Sequence, residues 1–183
     1  MEPMESGWGR VDALVVMGVS GCGKSEVARR IAAALGWAFV EGDSFHPAEN
    51  IARMAAGQPL TDEHRWGWLA AIAEQIAKAG GGGAVVACSA LKRRYRDRLR
   101  EAGPLAFVHL DGDRETLRRR MEGRQGHFMP ASLLDSQLAA LEPPGPDESA
   151  IRCDIRQSPD EIAAAAIARL RRAGALPADR ATA

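Results

Sequence analysis

Apolar positions along this chain fall into two alternating patterns. Strand-like runs occupy Val11 to Met17, Ala38 to Val40, Ala84 to Cys88, Leu105 to Leu110 and Ile151 to Ile155. Their length and apolar character suit strands buried on both faces. Between them apolar residues recur at helical spacing, as in Val27, Ile31 and Leu35, in Leu69, Ile72 and Ile76, in Leu91, Tyr95 and Leu99, and in Ile162, Ala166 and Leu170. Strands alternating with helices predict an α/β fold, a five-stranded parallel sheet with helices on both faces. Helix ends are legible too. Thr61 is placed as an N-cap with Asp62 and Glu63 in the first turn, and that helix stops at Gly80 to Gly83. Ser158-Pro159-Asp160-Glu161 forms a capping box with proline at the first helical position. Residues 1–10 and 177–183 read as disordered tails, which leaves one domain over 11–176.

Composition narrows the partners. Among 183 residues, 24 Lys and Arg balance 24 Asp and Glu, so there is no net basic field for nonspecific nucleic-acid binding. Cys22, Cys88 and Cys153 are odd in number and lack C-x-x-C spacing, which argues against a disulfide framework or a zinc site and suits a reducing cytoplasm. No apolar run reaches the ~18 residues of a membrane span, and residues 1–10 do not resemble a signal peptide. The expectation is a cytoplasmic protein with a small anionic ligand and neither nucleic acid nor membrane as partner.

That anion has an evident seat. Gly18-Val19-Ser20-Gly21-Cys22-Gly23-Lys24-Ser25 fills every fixed position of G-x-x-x-x-G-K-[ST], between a strand and a helix. Glycines there turn backbone N–H groups around a polyphosphate, Lys24 reaches the β- and γ-phosphates of ATP, and the Ser25 hydroxyl ligates Mg²⁺. Gly18, Ser20, Gly21, Cys22, Gly23, Lys24 and Ser25 are therefore the expected nucleotide contacts. The second strand ends in Glu41-Gly42-Asp43 ahead of Ser44-Phe45-His46-Pro47. Ligands of open α/β sheets sit beyond the carboxyl ends of the strands, so these carboxylates should emerge beside the loop. One could take a proton from an acceptor hydroxyl, and one could hold Mg²⁺ through water.

The remaining charged segments divide by context. Asp111 could serve Mg²⁺, but Asp111-Gly112-Asp113 stands where the next helix needs an N-cap, which is the favoured reading. In Lys92-Arg93-Arg94 with Arg96, Arg98 and Arg100, most charges lie opposite the apolar stripe and are expected in solvent, with Lys92 alone near the sheet edge. Arg118-Arg119-Arg120 and Arg124 to Pro130 are broken by Gly123 and Gly126. A glycine-punctuated basic segment suits a lid, at about 120–135, that closes arginines over the γ-phosphate.

Together with Gly18 to Ser25 and Glu41-Gly42-Asp43, the motifs His46-Pro47, Asn50-Ile51, Gly57-Gln58-Pro59-Leu60, Asp62 to Arg65, Cys88-Ser89-Ala90-Leu91-Lys92, Arg124 to Phe128, Ser136-Gln137 and Leu141-Glu142-Pro143-Pro144 resemble, in order and spacing, the small P-loop gluconokinases. The resemblance covers about residues 11–172. It implies a P-loop NTPase fold similar to nucleoside monophosphate and shikimate kinases, transfer of the ATP γ-phosphoryl group to the 6-hydroxyl of D-gluconate, and a homodimer. It implies Asp43 as the acceptor base, His46 and Arg65 as substrate contacts, Lys92 by the phosphoryl path, and Arg120, Arg124 and His127 in the lid. Metal contacts would come from Ser25, Glu41 and Asp43. Glu41 stands where that family's pattern leads one to expect Asp, and Trp66-Gly67 replaces a more usual Lys-Pro. The competing readings are a shikimate or nucleoside monophosphate kinase of the same fold, or a nucleotide-dependent switch, although no Asn-Lys-x-Asp guanine-reading segment occurs.

Overall fold

The computed structural model describes residues 7–123 and 132–177. Five strands, β1 (Ala13–Met17), β2 (Ala38–Glu41), β3 (Ala84–Ala87), β4 (Leu105–Asp111) and β5 (Ala150–Asp154), form one parallel sheet in the order β2-β3-β1-β4-β5. Seven α-helices connect or follow them among the described residues: α1 (Lys24–Leu35), α2 (Ala48–Ala55), α3 (Asp62–Ala79), α4 (Arg93–Arg100), α5 (Arg114–Glu122), α6 (Leu133–Ala140) and α7 (Pro159–Arg172). No helix of the described residues is long and apolar enough to cross a membrane.

Strand alternation divides the core. Leu14, Val16, Val85, Ala106 and Val108 face α1 and α7, where they meet Ile31, Ile162 and Leu170. The intervening Ala13, Val15, Val86 and Phe107 face α3 and α4, against Trp68, Leu69, Ile72 and Leu99. β1 is central and all five of its residues are fully buried, as a strand covered on both faces must be. The predicted helix ends appear at Thr61, whose capping box is closed by His64, and at Ser158, closed by Glu161. Asp113 caps α5 through Thr116 N at 2.9 Å, while Asp111 pairs with Arg152.

Two expectations are corrected. The lead-in is docked where it is described: Trp8 donates its N–H to Ala173 O at 3.0 Å and packs on the core, where its indole buries apolar area. Arg96 is not in solvent. It is completely buried and bidentate to Glu148, with Nε to Oε2 at 2.7 Å and Nη2 to Oε1 at 2.9 Å, while Nη1 donates to Ala90 O and Leu91 O. Arg100 Nη2 adds a bond to Glu148 Oε2 at 3.1 Å. The segment after α6 lies across α4 and covers a second face of a helix that the apolar stripe marks on one side only. Burial works to raise the Glu148 pKa, yet the bonds from Arg96, Gly145 N and Arg100 hold it at about 2.

Breaking this pair leaves a guanidinium without its partner in a dry site. Glu148→Ala is expected to cost about 3–5 kcal/mol of stability, read as a lower urea midpoint. Adding Arg96→Met should recover part of that loss; a single variant as stable as the parent would show that the pair does not anchor the segment.

Candidate active site

The phosphate loop leaves β1 at Gly18, whose φ is +143°. A Cβ there would lie 2.8 Å from Leu110 O and from Cys22 Sγ, so only glycine permits the chain to turn this closely over β4. The loop ends at Gly23, the left-handed N-cap of α1, which makes no side-chain cap bond. The first N–H groups of α1 therefore remain available to an anion. Lys24 folds back over the loop, with Nζ 3.1 Å from Val19 O and 4.0 Å from Cys22 Sγ. The Ser20 N–H donates to Gln137 Oε1 at 2.7 Å.

β2 delivers the second part of the site. Its end passes so close to β3 that a Cβ on Gly42 would be 2.3 Å from Ala87 O. The chain then enters a 3₁₀ turn, Gly42–Phe45, which carries Asp43, and His46 follows it. Trp68 of α3 fixes the turn by donating Nε1–H to Gly42 O at 2.8 Å, and stacks on the His46 ring at 4.1 Å between centroids. Asn50 Nδ2 donates to His64 O at 2.7 Å and faces His46 Nδ1 at 3.3 Å. Since an amide nitrogen only donates, Nδ1 is the acceptor, and the neutral ring carries its proton on Nε2, 4.0 Å from Asp43 Oδ1. Burial drives the His46 pKa down to about 4, with Arg65 adding to the effect and Asp43 opposing it.

A cavity of about 290 Å³ is lined by Asp62, Arg65, Lys92, Tyr95 and Gln137 among others. Arg65 Nε is buried without a hydrogen-bond partner, and its guanidinium lies 5.4 Å from the Tyr95 ring centre. Burial lowers its pKa from the ordinary arginine value. Asp62 organises its neighbours at the cavity: it accepts from Lys92 Nζ at 2.9 Å, Arg94 Nη1 at 2.7 Å and the Tyr95 hydroxyl. The tyrosine bond and then Lys92 hold its pKa at about 2. Asp43 and His46 are not among the residues lining the cavity. Cys88 shows how near the groups converge. Its thiol is pushed up to about 12, first by burial, with Asp43 adding to the rise while Lys24 and Arg65 oppose it.

The other predicted positions are placed as follows. Glu41 ends β2 and pairs with Arg29 at 3.7 Å. Arg120, near the end of α5, donates to Ile155 O at 2.6 Å. Arg124 and His127 lie outside the described residues, as does half of the expected lid; at its far edge Leu133 and Leu134 are buried. Sequence reasoning gives Asn50 and Gln137 no role beyond their places in the motifs of the resemblance, and Asp62 none beyond its motif and the first turn of its helix. As charge at a helix N-terminus, Asp62 gives a local signal that does not reveal a cavity wall.

A family model described as an AAA domain matches residues 14–144. A gluconokinase of Gluconobacter oxydans (strain 621H) is 54% identical over 154 residues, covering 81% of this chain and 85% of that protein. Among solved structures, a gluconokinase from Sinorhizobium meliloti 1021 superposes with a TM-score of 0.81 at 52% identity, over 89% of this chain and 94% of that one. A sugar kinase from Janibacter sp. HTCC2649 does so with a TM-score of 0.83 at 50% identity, over 90% and 96%.

The depressed His46 pKa has a measurable consequence. Between about 4 and the ordinary 6.5 the unfolded chain binds a proton that the folded chain does not, so this residue makes stability rise with pH across that window and adds nothing above it. NMR titration should place the His46 midpoint near 4; a midpoint at 6 to 7 would mean that the stack on Trp68 does not keep the ring dry.

Proposed function

The chain belongs to the gluconokinase family of P-loop kinases, and from that premise we propose that it transfers the γ-phosphoryl group of ATP to the 6-hydroxyl of D-gluconate, giving 6-phosphogluconate and ADP. The observation that carries this reading is a phosphate loop set beside a cavity whose buried Arg65 Nε has no partner. A sugar acid supplies what that wall lacks. Its carboxylate would accept from the Arg65 fork, an arrangement that a point charge could not reproduce as well. The far end of an extended six-carbon acid would then lie toward the loop.

Phosphoryl transfer asks the protein for position and charge rather than covalent chemistry. Asp43 is proposed to orient the acceptor hydroxyl and receive its proton, with neutral His46 steadying its carboxylate through Nε2–H. Lys24, released from Val19 O when phosphate enters, would neutralise charge on the β- and γ-oxygens, and the loop N–H groups would share in this. Lys92 is held at the cavity by Asp62 and is proposed to flank the phosphoryl path. Arg120 and Arg124 are proposed on the nucleotide side, and His127 on the substrate side, of a closing lid.

The donor set fits Mg²⁺. The Ser25 hydroxyl and the carboxylates of Asp43 and Glu41 are hard oxygens, and among the described residues no cluster of three or more His, Cys, Asp or Glu makes a closed cage. That agrees with an ion held mainly by substrate phosphates and water. Bound there, Mg²⁺ would neutralise charge between the β- and γ-phosphates; Glu41, already paired with Arg29, would serve it through water. A homodimer and a cytoplasmic location complete the proposal, supported by the family resemblance and, for the location, by three cysteines that are all buried.

Two substitutions should fail differently. Arg65→Ala is expected to raise the gluconate KM by about tenfold or more with a smaller change in kcat, because a remote ground-state contact is lost. Asp43→Asn is expected to lower kcat by about 10²-fold or more with little change in KM, because hydroxyl activation is lost. Steady-state kinetics against gluconate, shikimate and nucleoside monophosphates test the reading; phosphorylation of another acceptor with gluconate untouched would refute it. Lys24→Ala should remove activity by orders of magnitude with an unchanged melting curve, and a folded variant of near-normal rate would overturn the role of the loop.

A further inference from the structure

The loop and the cavity are joined by one side chain. Ser20 stands third in the phosphate loop and is 8% exposed, and its N–H donates to Gln137 Oε1 at 2.7 Å across 117 residues of sequence. The same Gln137 lines the acceptor cavity with Arg65 and Lys92. Gln137 therefore belongs both to the contacts of the loop that would hold the phosphoryl donor and to the lining of the space that would hold the acceptor. The helix that carries it is fixed at both ends. Leu134 is buried in the same core cluster as Val27 of α1. Beyond the last turn, Glu142 N donates to Leu91 O at 2.8 Å, and Glu142 Oε2 accepts from Arg93 N at 2.7 Å. The start of α4, from which Lys92 reaches the cavity, is thereby tied to the end of α6.

We propose that Gln137 is a positioning residue of phosphoryl transfer, acting through Ser20 to hold the phosphate loop in register with the acceptor cavity. In that transfer the acceptor oxygen bonds to the γ-phosphorus, the bond from phosphorus to the β,γ-bridging oxygen breaks, and ADP leaves with the electron pair. The hydroxyl proton passes to Asp43, and Gln137 exchanges no proton. Its contribution is distance and angle. Reacting atoms must approach within about 3–3.5 Å, and a misplacement of about 1 Å can cost about 10²-fold in rate. An amide oxygen satisfies the Ser20 N–H without placing a full negative charge beside the triphosphate, as a carboxylate would. A loop out of register still binds nucleotide but presents the γ-phosphate to water as readily as to the acceptor.

The inference rests on the acceptor reading above, and wild-type turnover of gluconate tests that reading by itself; should another acid of the panel be the acceptor, the variants are compared on that acid. Gln137→Met keeps the length of the side chain and removes the acceptor atom. With MgATP and acceptor, it is expected to lower kcat at least tenfold and to form more ADP than phosphorylated acceptor, where the wild type forms them one to one. The MgATP dissociation constant measured without acceptor should stay within threefold of wild type, and so exclude general damage to the loop. Should the Met variant melt early, Gln137→Ala, which only removes atoms from a half-buried position, is read in the same way. A kcat within twofold of wild type overturns the proposal. So does a loss in which ADP and phosphorylated acceptor fall in step, because a residue that merely supports the fold lowers both equally.

Discussion

The site depends on how closely parallel strand ends can approach one another. At Gly18 the chain turns over Leu110 O, and at Gly42 it passes over Ala87 O, with no room for a Cβ at either place. These two contacts bring the phosphate loop and the Asp43 turn to the same edge of the sheet, above Cys88. A side chain at either position would push one strand end away and separate the phosphate seat from the carboxylate beside it. Trp68 then fixes the second contact from α3 by bonding Gly42 O and stacking on His46. Packing of the sheet and placement of the chemistry thus rest on the same atoms.

Two buried arginines show how differently one residue type is used. Arg96 makes four hydrogen bonds to Glu148, Ala90 and Leu91, so its desolvation is compensated within the chain, and it anchors the segment after α6. Arg65 has an orphaned Nε, and its guanidinium lies over the face of Tyr95. A satisfied charge needs nothing further, whereas an incompletely satisfied one at a cavity wall favours an anionic ligand over an empty cavity. Asp62 complements the contrast. By accepting from Lys92, Arg94 and Tyr95 it offsets the mutual repulsion of two neighbouring cations and holds all three side chains in place.

His46 is tuned in the opposite direction from a proton-transfer histidine. Its dry stack against Trp68 keeps it neutral at physiological pH and leaves one N–H to face Asp43. A histidine of this kind orients a neighbour rather than exchanging a proton, which is consistent with the role proposed for Asp43.

Much of this protein was legible in its sequence because the signals are local. Periods of apolar residues marked the five strands and the main helices; Thr61, Ser158 and Asp113 marked helix starts through bonds that span three residues. The phosphate loop is likewise eight consecutive residues between a strand and a helix, so its chemistry could be read without knowing what lies opposite. Arg96 could not be read that way, because its burial comes from a segment 52 residues further on that covers a face with no apolar stripe. Trp8 reads as part of a tail, since the partner of its N–H, Ala173 O, stands far away in sequence and its indole packs on a core built from several elements. Asp62 looked like helix-end charge, and the meeting of Gln137 with Ser20 joins residues 117 apart. The chain's own order determined which elements form and where phosphate sits. Which polar groups meet across those elements, and so which charges are satisfied and which are left for a ligand, was decided only when the sheet brought distant segments within hydrogen-bond reach, because that reach extends over a few ångströms of space and has no counterpart in spacing along the chain.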